Sequence, residues 1–337
     1  MKKTYFLGID VAKDSCDFAV LNAKGSRLWS AQFDNHPTAI KAWLQGLEAR
    51  GLDLSKILFG LEATGVYSQA LLLSLQKANL AVCLLNPARV KYFGISILRR
   101  TKNDRADALL IARYLLERQP VASRPLRPVE HQLKELVHQR EALSIDLARE
   151  RNRAERYRIS SLTDPPAVLL QQSQQRLAQF KTWLGELDLA IKNLIDSDRA
   201  LRTQTQLLCS IPGIALCSAA KILSQLAGKE FQSAHQLALY AGLNPMHNQS
   251  GRCNGKTALS KIGNALLRKA LFLPASVALR YCAPIKLWAQ QIQSRRPELS
   301  KLQIRGAVMH KLIRVIFGVL KHRSPFDPNL ASAFNPA

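Results

Sequence analysis

Two short apolar runs in the first third of the chain each end in a carboxylate, and they constrain the fold more than any other feature. Tyr5-Phe6-Leu7-Gly8-Ile9 leads into Asp10, and Ile57-Leu58-Phe59-Gly60-Leu61 leads into Glu62. Continuous apolar runs of this length, bounded by polar residues, read as buried strands. A carboxylate at the end of a buried strand is costly unless it is paired or bound to metal. A second pair, Asp104 and Asp107, lies in Lys102-Asn103-Asp104-Arg105-Ala106-Asp107-Ala108, where a helical pattern begins. Their i,i+3 spacing puts both on one helix face. Carboxylates gathered from strand ends and a helix face repel one another unless a cation sits among them. Mg²⁺ favours such hard oxygen ligands, and two such ions can clamp the attacking and leaving oxygens of a phosphodiester. The pattern therefore points to an enzyme that acts on nucleic acid.

Other readings stand beside this one. Asp14 and Asp17 are the local rivals of Asp10; Asp17 falls inside the next strand and Asp14 in the turn before it, so both read as solvent-facing or structural. Asp104 and Asp107 could instead form helix-surface pairs with Arg100, Lys102 or Arg105, which would carry little energy.

Around these residues the N-terminal part reads as a mixed α/β sheet. Phe6–Val11, Cys16–Leu21 and Arg27–Phe33 are expected as strands, the last following the turn-like Asn22-Ala23-Lys24-Gly25. Apolar spacing at Ile40, Trp43, Leu44 and Leu47 predicts a helix from Pro37 to Arg50, ended by Gly51. Strand Ile57–Leu61, helix Tyr67–Lys77, strand Ala81–Leu85 and helix Asp104–Arg118 follow, completing a first domain at 1–120. Residues 129–200 carry two long helical patterns, Val129 to about Leu162 and Ala167 to about Leu201, with Thr163-Asp164-Pro165-Pro166 as the turn. That reads as a helical hairpin or coiled coil that could also dimerise, or as a compact helical domain without a partner. Residues 202–337 look all-helical and basic. Within them Ser210-Ile211-Pro212-Gly213-Ile214 resembles a helix-hairpin-helix turn offering backbone N–H groups to a phosphate, or is an ordinary Pro-Gly turn.

Charge supports the nucleic-acid reading. The 337-residue chain carries a net +24, implying a polyanionic partner. Residues 201–337 hold 18 Lys/Arg against 3 Asp/Glu, a net of +15, whereas residues 1–120 hold 17 against 10. No amphipathic anchor or acylation motif accompanies the charge, so a membrane partner is not expected. The six cysteines show no C-x-x-C pair, which argues against a zinc site or disulfide framework and for reduced buried thiols in a cytoplasmic protein. Met1-Lys2-Lys3 precedes an apolar stretch too short for a signal sequence, and later runs such as Ile313 to Leu320 are too short to span a bilayer.

A second constellation lies in the basic part: Gly242-Leu243-Asn244-Pro245, then Ser250-Gly251, then Ser260-Lys261-Ile262-Gly263-Asn264 with Leu267-Arg268-Lys269. Arg252, Lys256, Lys261 and Arg268 are candidate phosphate contacts. From residue type alone Ser250 reads as a loop or cap residue, since serine is a weak nucleophile without activation.

Taken in order, these motifs resemble the IS110 (IS110/IS1111) transposases, the bridge-RNA-guided DEDD recombinases related to Piv invertases. The likeness rests on Gly8-Ile9-Asp10-Val11-Ala12-Lys13, Leu61-Glu62-Ala63-Thr64-Gly65-Val66-Tyr67 and Lys102-Asn103-Asp104-Arg105-Ala106-Asp107-Ala108. It continues through Ile211-Pro212-Gly213-Ile214, Ala241-Gly242-Leu243-Asn244-Pro245, Ser250-Gly251 and the Ser260-to-Arg268 run. The resemblance implies a RuvC-like (RNase H-fold) N-terminal domain whose DEDD tetrad is Asp10, Glu62, Asp104 and Asp107, holding Mg²⁺ or Mn²⁺. It implies a coiled-coil dimerisation segment at 129–200 and a mostly α-helical transposase domain at 202–337 whose nucleophile is Ser250. DNA, a noncoding guide RNA and further copies of the chain are the partners it implies. A RuvC-like endonuclease of the junction-resolving type, using water, is the alternative.

Overall fold

The computed structural model describes residues 3–62, 65, 67–98, 103–159, 164–246, 249–250, 253–254 and 258–329, with the backbone alone for 249, 250, 253 and 254. It divides into two compact units, Met1–Pro125 and Leu126–Ala337.

The first unit is a five-stranded mixed sheet with helices on both faces. Its elements are β1 (Tyr5–Val11), β2 (Ser15–Asn22), β3 (Arg27–Asp34), α1 (Pro37–Ala49), β4 (Ile57–Glu62), α2 (Tyr67–Lys77), β5 (Ala81–Leu85), α3 (Pro87–Ser96) and α4 (Asp104–Arg118). The strand order is β3-β2-β1-β4-β5. The first three strands form an antiparallel meander, and β4 and β5 run parallel to β1. Hairpin turns suffice for the meander, whereas the parallel pair β4–β5 needs α2 as a crossover.

Side-chain alternation divides the core in two. Leu7, Ile9, Val11, Phe18, Val20, Phe59 and Leu61 pack with Ile40, Trp43 and Leu47 of α1 and Leu71 and Leu75 of α2. Phe6, Leu21, Leu58, Cys83 and Leu85 pack on the opposite face with Val90 and Phe93 of α3 and Leu110, Ile111 and Leu115 of α4.

Two strand glycines bring α4 down onto that second face. Gly8 and Gly60 are register partners across β1 and β4. A Cβ on Gly8 would run into the Ala108 carbonyl, the Ala112 N–H and the Ile111 Cβ, the last at 2.8 Å, and one on Gly60 would lie 2.7 Å from Leu115 Cδ1. Glycine inside a strand marks such a close backbone approach.

The expected strands and helices of this part are present within a residue or two at their ends. α3 is an addition; its signal was Asn86-Pro87, where Asn86 Oδ1 accepts the Ala88 N–H at 2.9 Å and proline takes the first helical turn.

In the second unit α5 (Pro128–Ile159) and α6 (Ala167–Ser197) form a long helical hairpin. Asp198 ends α6 and caps α7 (Arg199–Cys209) by accepting the Leu201 N–H at 2.8 Å, so the pattern expected to continue to Leu201 breaks here. Leu133 and Val137 of α5 and Ile191 and Ile195 of α6 share one core with α7, α8 (Leu216–Leu226), α9 (Ala234–Ala241), α10 (Ala265–Tyr281), α11 (Ala283–Arg295) and α12 (Lys301–His322). Charge fastens the hairpin there as well. Buried Glu141 of α5 meets Lys221 of α8 at 2.7 Å and Lys269 of α10. Further along, buried Glu150 accepts from Ser173 Oγ at 2.7 Å and Arg176 at 3.0 Å across the two arms.

This unit is not all-helical as expected: β6 (Pro245–Met246) pairs with β9 (Ala258–Leu259), and β7 (Gln249–Ser250) with β8 (Cys253–Asn254). Two-residue strands carry no periodicity for a sequence pattern to reveal. The thiols are likewise not uniformly buried, since Cys16, Cys83 and Cys282 are, while Cys209 is exposed. Among the described residues no single helix is long and apolar enough to cross a membrane.

Candidate functional site

Alternation along β1 and β4 puts Gly8, Asp10, Gly60 and Glu62 on the face that α4 covers. Because β1 and β4 are parallel with Ile9 beside Leu61, the next position on each sets Asp10 beside Glu62 at their carboxyl ends. α4 begins at the same end: Asn103, in extended conformation, accepts the Ala106 N–H on its Oδ1 at 2.8 Å, and the first turn carries Asp104 and Asp107. The Gly8 and Gly60 contacts fix how deep the helix lies. As a result Asp10, Asp104 and Asp107 each offer a carboxylate oxygen within 4.8 Å of the others. Glu62 is outside that closest set, yet its carboxyl is pushed up by burial and by Asp107.

Electrostatics show the strain of this arrangement. Asp10 is raised from 3.8 to about 6, first by burial and then by Asp107, Asp104, Glu62 and Asp17. Two acids in the first turn of a helix gain about 0.3–1 kcal/mol each from its dipole. The roughly two pKa units at Asp10 correspond to up to about 3 kcal/mol against the ionised form. Helix capping therefore does not account for the cluster, whereas a divalent cation among hard oxygen donors would. The residues present fit such an ion.

The local alternatives resolve differently from one another. Asp14 is exposed. Asp17 is 6% exposed, so of the two expectations for it, solvent-facing or structural, the structural one holds, because α4 covers this part of β2. It accepts from Gln32 Nε2 at 3.1 Å and pairs with Arg105 Nε at 3.7 Å. Arg105 thus serves Asp17, although it sits between Asp104 and Asp107 in sequence. Arg100 and Lys102 lie outside the described residues.

The serine constellation stands on a braced base. Gly242 ends α9 in the left-handed conformation (φ +67°), where a Cβ would meet the Arg268 guanidinium at 2.7 Å. The returning chain is tied back by Ser260 N–H to Asn244 O at 2.9 Å, Lys261 N–H to Gly242 O at 3.1 Å and Asn264 N–H to Tyr240 O at 2.7 Å. Asn264 caps α10 through Leu267 N–H at 2.8 Å and donates to Tyr240 Oη at 2.8 Å and Gln225 Oε1 at 3.0 Å. From this base the two short ladders extend, with Ser250 ending β7 opposite Cys253. Lys261 is exposed with φ +54°, whereas half-buried Arg268 donates from Nη1 to Ala241 O at 2.9 Å, at the end of α9. Arg252 and Lys256 lie outside the described residues. In the turn between α7 and α8, Gly213 has φ +97°, and a Cβ there would lie 2.6 Å from the Pro274 carbonyl of α10, so packing alone requires glycine.

Comparison with known proteins finds matches over both parts of the chain. Residues 7–157 match the DEDD transposase model of IS110 elements, and residues 205–289 match the transposase model of the IS116/IS110/IS902 family. The pilin gene-inverting proteins of Moraxella bovis and Moraxella lacunata are each 31% identical to the chain, over 98% of it and 99% of their own length. A putative transposase, y4rJ, of Sinorhizobium fredii (strain NBRC 101917 / NGR234) is 26% identical over 57% of this chain and 59% of its own. The class is that of DNA-recombining enzymes, transposases and recombinases, for which DNA is the substrate. Within it, the chain belongs to the IS110 transposase family, related to the pilin gene-inverting proteins.

Proposed function

We propose that this protein cleaves and rejoins DNA through Ser250, with Mg²⁺ or Mn²⁺ held by Asp10, Glu62, Asp104 and Asp107 on a RuvC-like domain. The observation that carries the proposal is the convergence of Asp10, Asp104 and Asp107 within 4.8 Å, at the end of the sheet where Glu62 also lies. When bound, the cation would act as a Lewis acid toward the phosphodiester and lower the cost of charge on the attacking and leaving oxygens. Asp10 and Glu62 are held at the ends of neighbouring strands, and Asp104 and Asp107 by the capped first turn of α4, so Asp10, Asp104 and Asp107 already converge, with Glu62 at the same end of the sheet.

Ser250 Oγ, having lost its proton, attacks phosphorus; the serine–phosphate bond forms as the bond to one sugar oxygen breaks, and that oxygen takes a proton. A sugar hydroxyl of another strand then displaces the serine, reversing both changes on a new partner, so joining needs no external energy source. The braced base lies at the foot of the segment that carries Ser250, and Lys261, with Arg252 and Lys256, contacts phosphates. Arg268, tied to α9, orients the loop base and adds its charge. The α7–turn–α8 pair adds a helix-hairpin-helix-like phosphate contact.

The basic C-terminal part suits a noncoding guide RNA as well as DNA. The α5–α6 hairpin, with Trp183 41% and Leu189 59% exposed, offers apolar surface for assembly of copies. The pilin gene-inverting relatives support recombination over simple hydrolysis, and inversion is one outcome this chemistry allows.

The test is a trap for covalent protein–DNA adducts. Purified protein with RNA co-expressed from its native flanks is mixed with labelled element-end DNA and Mg²⁺ and run on a denaturing gel. Wild type is expected to give an adduct that both Ser250→Ala and Asp104→Ala lose. Cleaved DNA without an adduct, unaffected by Ser250→Ala, would identify a nuclease that uses water.

A further inference from the structure

Asp17 and Arg105 have no part in the chemistry above, yet they sit at its edge. Asp17 is the register partner of Asp10 across β1 and β2, so both carboxylates share the face under α4. Like charges directly opposite on neighbouring strands repel. Asp17 is nevertheless 6% exposed and is not one of the acids that converge within 4.8 Å. Its charge is met within the protein, by Gln32 Nε2 at 3.1 Å, itself 3.2 Å from Ser15 Oγ, and by Arg105 Nε at 3.7 Å.

Arg105 belongs to the first turn of α4, between Asp104 and Asp107. The ion pair thus joins the turn that carries two carboxylates to the strand beside the third. The Gly8 contact holds α4 at Ala108, Ile111 and Ala112, beyond that first turn. The Asn103 cap is local to the helix. Among the described residues the Asp17–Arg105 pair is thus one side-chain link between that first turn and the sheet, made from an Arg105 side chain that is otherwise largely exposed.

We propose that Asp17 and Arg105 form a positioning pair for the acidic site: they set the spacing of Asp104 and Asp107 from Asp10 and keep the guanidinium off those carboxylates. This rests on the reading of the site as a metal centre. Neither residue is a ligand. Partners that orient ligands from outside a metal site commonly govern affinity by roughly ten- to a hundredfold.

Mn²⁺ binding to the full chain, measured by calorimetry in the absence of DNA, separates this proposal from its rivals. Both Asp17→Asn and Arg105→Gln are expected to weaken Mn²⁺ binding by roughly tenfold. The double variant should be no weaker than either single one, since the two act as a unit. Arg105→Lys should keep most of the affinity. A mere field effect has a different signature: loss of the Asp17 charge would weaken binding, but loss of the Arg105 charge would tighten it. A purely structural role would lower the melting temperature without metal and leave Mn²⁺ affinity unchanged. Either result overturns the pair. Asp10→Asn and Asp104→Asn are the controls; if they leave Mn²⁺ binding intact, the metal-centre reading itself fails.

Discussion

Asp10 is a single residue whose titration should be measurable in the whole protein. Its folded pKa, about 6, lies above the ordinary 3.8, so the folded state holds the proton more tightly than the unfolded chain does. This contribution favours folding fully below pH 4 and is lost as pH rises through 6. In metal-free buffer at pH 7 the ionised Asp10 should destabilise the fold by up to about 3 kcal/mol, less whatever solvent relaxes. Asp10→Asn removes that burden. The variant is expected to melt above wild type at pH 7 without metal and to match it near pH 4. Mg²⁺ should raise the wild-type midpoint at pH 7 and leave the variant nearly unmoved. Paired thermal scans at the two pH values check this, and a wild type more stable than Asp10→Asn at pH 7 without metal would count against a crowded carboxylate.

Among the elements, α4 determines the geometry, and Gly8 and Gly60 determine where α4 lies. Gly8→Ala would drive a methyl group into the Ala108 carbonyl and the Ala112 N–H, both backbone atoms that cannot swing aside. Overpacking of this kind costs about 1–3 kcal/mol, or more where the neighbour is backbone. Urea unfolding followed by tryptophan fluorescence should show a midpoint reduced accordingly, because buried Trp43 reports on this unit. Divalent-metal binding should weaken with it, since α4 carries two of the acids. A variant of normal stability would show that the helix can lift off the sheet at no cost.

The same elements show what the sequence could reveal. Asp10, Glu62, Asp104 and Asp107 were legible because each stands where a strong apolar or helical pattern begins or ends. The two glycines were visible within those runs, but their meaning depends on which helix crosses them, which periodicity does not state. For Asp17 the sequence leaves a solvent-facing and a structural role both open, because strand alternation says which face a residue takes and not what covers that face. The short ladders around Ser250 lay below any periodic signal, and the serine carried weight through its motif context alone.

For the molecule as a whole, charge sets the basic DNA-binding part apart from the acidic site. The net +24 resides mainly in residues 201–337, while the acids that would repel a phosphate backbone converge in the first unit. Binding through the basic part should release counterions, so log K against log salt is expected to fall with a slope of about −5 or steeper for six or more phosphate contacts. That corresponds to a loss of about a thousandfold between 50 and 200 mM salt. Asp10→Asn/Asp104→Asn removes two negative charges from the acidic site. In metal-free buffer it should bind element-end DNA at least as tightly as wild type, with the same salt slope, while yielding no adduct when Mg²⁺ is added. Lys261→Ala should instead weaken binding and make the slope shallower by about one. Fluorescence anisotropy across a salt series measures both quantities. A slope shallower than about −2 in the wild type would mean that the basic part is not the DNA-binding surface. Weaker binding by the double acid variant than by wild type once Mg²⁺ is present would mean that the carboxylates hold DNA through a bound cation, making affinity and chemistry properties of one site.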